Sequence, residues 1–202
     1  MIAKAVTPRV HVLGLGSIGT FAAHSLAEVP PPLTPSITLL LHRESLVDQY
    51  RRNGSQITLQ TGEGEIISHG DYNLEVLQDG QWHSASSTCC ETTPIRNMTV
   101  QDDIIDNLIV SVKGPQTSSA LRPLKHRLNA SSHILFLQNG TGMIEDVKKH
   151  VFTKEETRPN FITGGYITWS NTQLTLQHHP YWICSNIFGP CASVRTNRQG
   201  HP

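Results

Sequence analysis

No excess of either charge sign is present. Sixteen Lys and Arg balance sixteen Asp and Glu among 202 residues, for a formal net charge of zero. That balance leaves no electrostatic footprint for nucleic acid or an anionic membrane surface, and neither is expected as a partner. No apolar run reaches the ~18 residues of a membrane-spanning helix. The apolar segment near the N-terminus is interrupted by Gly14 and Gly16, so no signal peptide is read there and the expected compartment is the cytosol. The sequons at Asn53, Asn97, Asn129 and Asn139 therefore carry no glycosylation reading. Cysteine is scarce and badly spaced for a metal. Cys89 and Cys90 are adjacent, Cys184 and Cys191 form no C-x-x-C, and in a reducing compartment all four read as free thiols. The eleven histidines include no H-E-x-x-H, and their densest cluster is His178-His179. Adjacent residues on a strand point to opposite faces, so that pair is poorly placed to chelate. No metal site is expected.

What the chain does have is a glycine loop. Residues 10–19 read V-H-V-L-G-L-G-S-I-G, a strand breaking into Gly14-x-Gly16-x-x-Gly19. Gly14 permits the tight turn, Gly16 lets a pyrophosphate approach bare backbone, and Gly19 lets the next helix pack close. A helical stretch Ser17–Glu28 follows, whose N-terminus aims unpaired N–H groups at an anion. Gly14, Leu15, Gly16, Ser17, Ile18 and Gly19 are thus the candidate dinucleotide cradle; the competing reading is a purely structural strand–turn–helix. The end of the second strand, Ile37–Leu41, selects the dinucleotide. An NAD site ordinarily places Asp or Glu there, whereas this chain has His42-Arg43-Glu44. Arg43 offers a fork of donors matched to the 2′-phosphate of NADP. Alternatively, Arg43 is solvated and Glu44 faces the ribose.

The remaining pattern alternates strands with helices. A proline-rich loop at residues 30–35 separates the first helix from the second strand. Arg43–Arg52 reads as a helix, and Ile57–Leu59, Glu65–Ile67 and Leu74–Leu77 as short strands, with turns at Gly62, Gly64 and Asp79-Gly80. Gln81–Thr93 is Ser/Thr-rich and reads as a surface loop. Strands are expected at Asn107–Val112, His133–Leu137 and Asn160–Thr163, with helices at Gln116–Leu128 and Gly142–His150. The expectation is an α/β, Rossmann-like, doubly wound and mostly parallel sheet with helices on both faces. Ligands in such sheets bind at the carboxyl ends of the strands. Lys113 follows one strand and Gln138-Asn139-Gly140 the next, so Lys113 and Asn139 are candidate cleft residues. Read blandly, they are a solvated lysine and a turn.

Taken together, V-L-G-L-G-S-I-G, His42-Arg43, S-V-K-G-P-Q-T at 111–117 and L-Q-N-G-T-G-M-I-E at 137–145 resemble the ketopantoate reductase (2-dehydropantoate 2-reductase) family. The resemblance covers roughly residues 9–190, to Phe188-Gly189-Pro190. It implies that the glycine loop binds the NADPH pyrophosphate and that Arg43 engages the 2′-phosphate. It also implies that Lys113 and Asn139 line the nicotinamide and substrate cleft, where hydride passes to the C2 ketone of 2-dehydropantoate in pantothenate synthesis.

Departures from the family are equally plain. Members continue into a helical second domain that supplies the general-acid lysine. Here residues 157–202 contain no Lys, Asp or Glu, and the tail Val194–Pro202 is polar and aperiodic. The expectation is an NADP-binding domain over residues 1–193, a short tail over 194–202, and no helical second domain. Where the family shows Thr-His after the sixth strand, this chain has Thr168-Trp169. Two functions therefore stand open: an NADPH-dependent 2-keto acid reductase, or a non-catalytic NADP(H)-binding module or degenerate paralogue. A different dehydrogenase sharing this first domain is the third. An uncovered apolar face would favour homo-oligomers.

Overall fold

The apolar runs of the sequence become the strands of one central sheet. A computed structural model of the protein describes residues 7–61, 65–85, 103–140, 142–164 and 181–182. Strand β1 (Arg9–Leu13) lies at the centre, with helix α1 (Ser17–Ala27) following directly. Next come β2 (Ser36–Leu41), α2 (Glu44–Arg52), β3 (Ile57–Thr61) and β4 (Ile66–His69). Strands β5 (Asn73–Gln78), β6 (Gln81–Ser84) and β7 (Asn107–Val110) follow. The second half holds α3 (Thr117–Leu121), β8 (His133–Leu137), α4 (Met143–His150), β9 (Asn160–Gly164) and the short β10 (Tyr181–Trp182).

Seven strands form the main sheet in the order β6-β5-β2-β1-β7-β8-β9, and β10-β3-β4 form a small second sheet. Every pairing in the main sheet is parallel except β5 with β6. The chain leaves β1 first to one side and then crosses to β7 on the other, so the order reverses between these two strands. That switch point leaves a crevice at their carboxyl ends.

Side-chain alternation divides the core into two layers. Val12, Leu39, Leu41 and Ile109 join α2 residues Leu46, Val47 and Tyr50 on one face. Leu13, Leu40, Leu108 and Val110 join Leu121, Leu124 and Val147 on the other. Strands buried on both faces read as continuous apolar runs, as I-T-L-L-L at 37–41 does. Among the described residues, no helix is long and apolar enough to cross a membrane.

Three elements depart from the sequence expectation. Gln81–Ser84 is an edge strand rather than a surface loop, paired antiparallel with β5. Asp79 (φ 49°) and Gly80 (φ 78°) make the tight hairpin turn, and Trp82 is buried, so tertiary burial overrides a polar local composition. The rest of the expected loop, 86–93, lies outside the described residues. The helix expected over Gln116–Leu128 is broken: α3 ends at Leu121 and a 3₁₀ segment, Arg122–Arg127, continues it. Pro123 lacks the N–H that an α-helix interior requires. The strand expected over Asn107–Val112 ends at Val110, although the Ser111 N–H still donates to the Leu13 carbonyl at 2.9 Å. The turns at Gly62 and Gly64, all four cysteines, His178-His179, Thr168-Trp169 and the boundary at residue 193 lie outside the described residues.

A buried ion pair ties the far edge together. The Arg127 guanidinium, wholly buried, donates to both Glu75 carboxylate oxygens at 2.6 and 3.2 Å and to the Asp103 carbonyl at 2.8 Å. Burial raises the Glu75 carboxyl, but neighbouring His11 and the hydrogen-bonded Arg127 outweigh it and hold it below its usual range.

Candidate functional site

The glycine loop meets its geometric requirements one residue at a time. Gly14 has φ +96°, and a Cβ there would lie 2.8 Å from both Val112 Cγ1 and Val112 N. No L side chain fits that position. A Cβ at Gly19 would collide with the Gly14 carbonyl oxygen and the Ser111 hydroxyl, so α1 sits close against the loop because residue 19 is bare. At Gly16 a Cβ would meet nothing within 4 Å. The fold does not need glycine there; the open space in front of it does.

Gly16 is the N-cap of α1, with no side-chain cap and no acidic residue in the first turn. Its carbonyl accepts from the Thr20 N–H at 3.0 Å. The first N–H groups of the helix are therefore free for a ligand, and no side-chain charge offsets the positive end of the helix dipole. Leu15 is buried in the core while Ser17 is exposed and Ile18 half-buried. These three residues can offer backbone donors to an anion without moving their side chains.

A cleft of about 530 Å³ opens above this loop. Its lining brings Gly14, Leu15 and Gly16 together with Leu40, Leu41 and His42 from the end of β2. Ser111, Val112, Lys113, Gln116 and Ser119 close the other side. Lys113, expected on sequence grounds, thus stands in the cleft, exposed at the head of a 3₁₀ turn. Arg43 is the exposed N-cap of α2, one residue beyond His42. Asn139 is exposed at the end of β8, beside the strand that carries Lys113, and does not line this cleft.

Several residues outside the candidate set read from the sequence shape the site. The Ser111 hydroxyl donates to the Gly14 carbonyl at 2.5 Å, fixing the loop to the end of β7. Buried Gln138 donates through Nε2 to the Val112 carbonyl and, at 2.8 Å, to Thr117 Oγ1, holding the ends of β7 and β8 together. His42, which lines the cleft, has its pKa lowered by desolvation and then by the charge of Arg43. The S-V-K and L-Q-N strings carried Ser111 and Gln138; only the neighbouring ends of β7 and β8 gave them roles.

Comparison with known proteins places this geometry. The family described as ketopantoate reductase PanE/ApbA matches residues 10–180. The chain is 28% identical over 155 residues to the probable 2-dehydropantoate 2-reductase of Schizosaccharomyces pombe, covering 77% of this chain and 39% of that one. It is 28% identical over 155 residues to the 2-dehydropantoate 2-reductase of Saccharomyces cerevisiae, covering 77% and 36%. The chain thus spans under two fifths of the length of these curated relatives. A solved D-mandelate dehydrogenase, in ternary complex with NADH and anilino(oxo)acetate, shares the fold at a TM-score of 0.53 and 16% identity. That match covers 78% of this chain and 40% of the dehydrogenase.

Proposed function

The chain belongs to the ketopantoate reductase PanE/ApbA family, and from that premise we propose that it binds NADPH above β1 and β7 for the reduction of 2-dehydropantoate to pantoate. The observation that carries the proposal is the open space at Gly16, in front of an uncapped helix N-terminus free of acidic side chains. An oxidised or reduced nicotinamide dinucleotide brings a pyrophosphate, and bare backbone with free N–H groups is what a pyrophosphate needs. The residues present fit the group.

In this reading the backbone of Gly14, Leu15, Gly16, Ser17, Ile18 and Gly19 holds the pyrophosphate. Arg43, at the end of β2, takes the 2′-phosphate as a bidentate partner. Bound NADPH supplies a hydride equivalent to the ketone carbon. Lys113 places a cation at the strand end beside the loop, suited to a keto acid carboxylate or to charge developing on the ketone oxygen. Asn139 stands one strand further along as a hydrogen-bonding partner for the substrate. The 2-keto acid is the small-molecule partner, and the chain matches under two fifths of the length of the curated relatives.

Fluorescence titration of the chain with NADPH and NADH tests the assignment. A charge-assisted bidentate contact is worth ~1.5–3 kcal/mol, so NADPH is expected to bind about ten- to a hundred-fold more tightly. Arg43→Ala should remove that preference while leaving NADH affinity unchanged. Equal affinities in the wild type would sink the assignment of Arg43.

A further inference from the structure

Far from the glycine loop, at the other end of α1, three metal-ligating side chains converge that the dinucleotide reading does not use. We propose that His24, Glu28 and His69 form a divalent transition-metal site, zinc foremost, which clamps the C-terminal end of α1 to the β3–β4 hairpin. One ligand atom from each residue lies within 4.8 Å of the other two. His24 and Glu28 are one helical turn apart on the same face, and His69 ends β4, brought there by the packing of that hairpin on α1. The loop end and this end of an 11-residue helix are separated by ~16 Å, so the two sites are distinct.

The hydrogen-bond accounting points to a cation. A carbonyl only accepts, so the contact of His24 Nε2 with the Ile67 carbonyl at 3.3 Å makes Nε2 the protonated nitrogen. The lone pair of His24 then sits on Nδ1, which faces Glu28 Oε1 at 3.9 Å. Two acceptors confront each other with no proton between them. His69 Nε2 lies 4.0 Å from the same oxygen and is a buried atom with no hydrogen-bond partner among the described residues. A backbone carbonyl on the far nitrogen of a ligating imidazole is also how metal sites fix the tautomer and aim the ring.

Local charge agrees with this reading. Glu28 is the C-cap of α1, where the helix dipole disfavours an anion. Among the described residues, the ion-pair partners of Glu28 are these two rings. Two imidazole nitrogens and one carboxylate oxygen suit zinc and its first-row neighbours over calcium or magnesium, which prefer oxygen sets. Ligand atoms on tetrahedral zinc stand about 3.3 Å apart. Closing the present separations, 3.9 and 4.0 Å to the Glu28 oxygen and at most 4.8 Å overall, takes relative movements of about 0.6–1.5 Å. Three protein ligands leave a fourth position for water.

The test is zinc titration of the chelator-treated 202-residue chain, read by calorimetry and by thermal unfolding, with magnesium as control. The expected result is one high-affinity equivalent of zinc and a raised Tm, with no shift from magnesium. Glu28→Gln and His69→Gln should each weaken that equivalent at least tenfold. Both positions are partly solvent-accessible, so these variants avoid the folding risk of replacing buried His24. Cobalt should bind with visible d–d absorption that either substitution changes. Absence of stoichiometric zinc binding overturns the proposal. Zinc binding of unchanged affinity in both variants also overturns it, by assigning the metal to other histidines or cysteines.

Discussion

Replacing Arg127 by Met should be among the most destabilising single changes available to this chain. Arg127 is wholly buried, donates twice to the Glu75 carboxylate, and donates once more to the Asp103 carbonyl. Methionine fills much of the same volume but leaves Glu75, itself 6% exposed, with His11 at 3.7 Å as its remaining ion-pair partner among the described residues. Two hydrogen bonds to a charged group at ~1.5–3 kcal/mol each give ~3–6 kcal/mol. Breaking a buried pair from one side independently suggests ~3–5 kcal/mol. With a urea m-value of ~2 kcal/mol/M, the midpoint should fall by ~1.5–2.5 M. Replacing both partners by apolar residues of similar size often restores stability, so Glu75→Leu with Arg127→Met should recover most of the loss. The pH dependence follows from the same pair. Because Glu75 is held below its ordinary value in the folded chain, its contribution is complete above the unfolded value of 4.5. It is lost as pH falls through the folded value. The wild type should therefore lose stability below about pH 4.5, and Arg127→Met should flatten that acid limb. A cost under ~1 kcal/mol, or a double variant that simply adds two losses, would refute the reasoning.

Two glycines in one loop should separate folding from binding. Gly16→Val meets open space, so it should leave urea stability nearly unchanged and abolish NADPH binding; retained affinity would place the nucleotide elsewhere. Gly14→Ala, forced to φ +96° against Val112, should instead destabilise the fold by ~1–3 kcal/mol, and a silent result would show that the loop can relax. Among the described residues, Gly16 and Lys113, which line the cleft, stand exposed, and orienting a substrate depends on enclosure. NADPH oxidation with 2-dehydropantoate by these 202 residues alone should run well below the ordinary ~1–10³ per second. Turnover inside that range would show that Lys113 or a neighbour already completes the proton transfer.

The sequence by itself determined what depends on neighbours along the chain. Gly14 and Gly19 are legible because a turn and a close helix need a missing Cβ, and those demands are local. The parallel strand at 37–41 is legible because burial on both faces favours a run as apolar as I-T-L-L-L. Lys113 is legible because the sheet order puts strand ends at one edge. Tertiary structure decided what depends on partners far away. Gln81–Ser84 is polar, and only pairing with β5 and burial of Trp82 make it a strand. Glu75 and Arg127 are 52 residues apart, and nothing in either local sequence marks a buried ion pair. His24 and Glu28 share a helical spacing that ordinarily means a solvated pair. Only the hairpin carrying His69 across α1 turns that spacing into a cluster, because chelation is a property of distances in space.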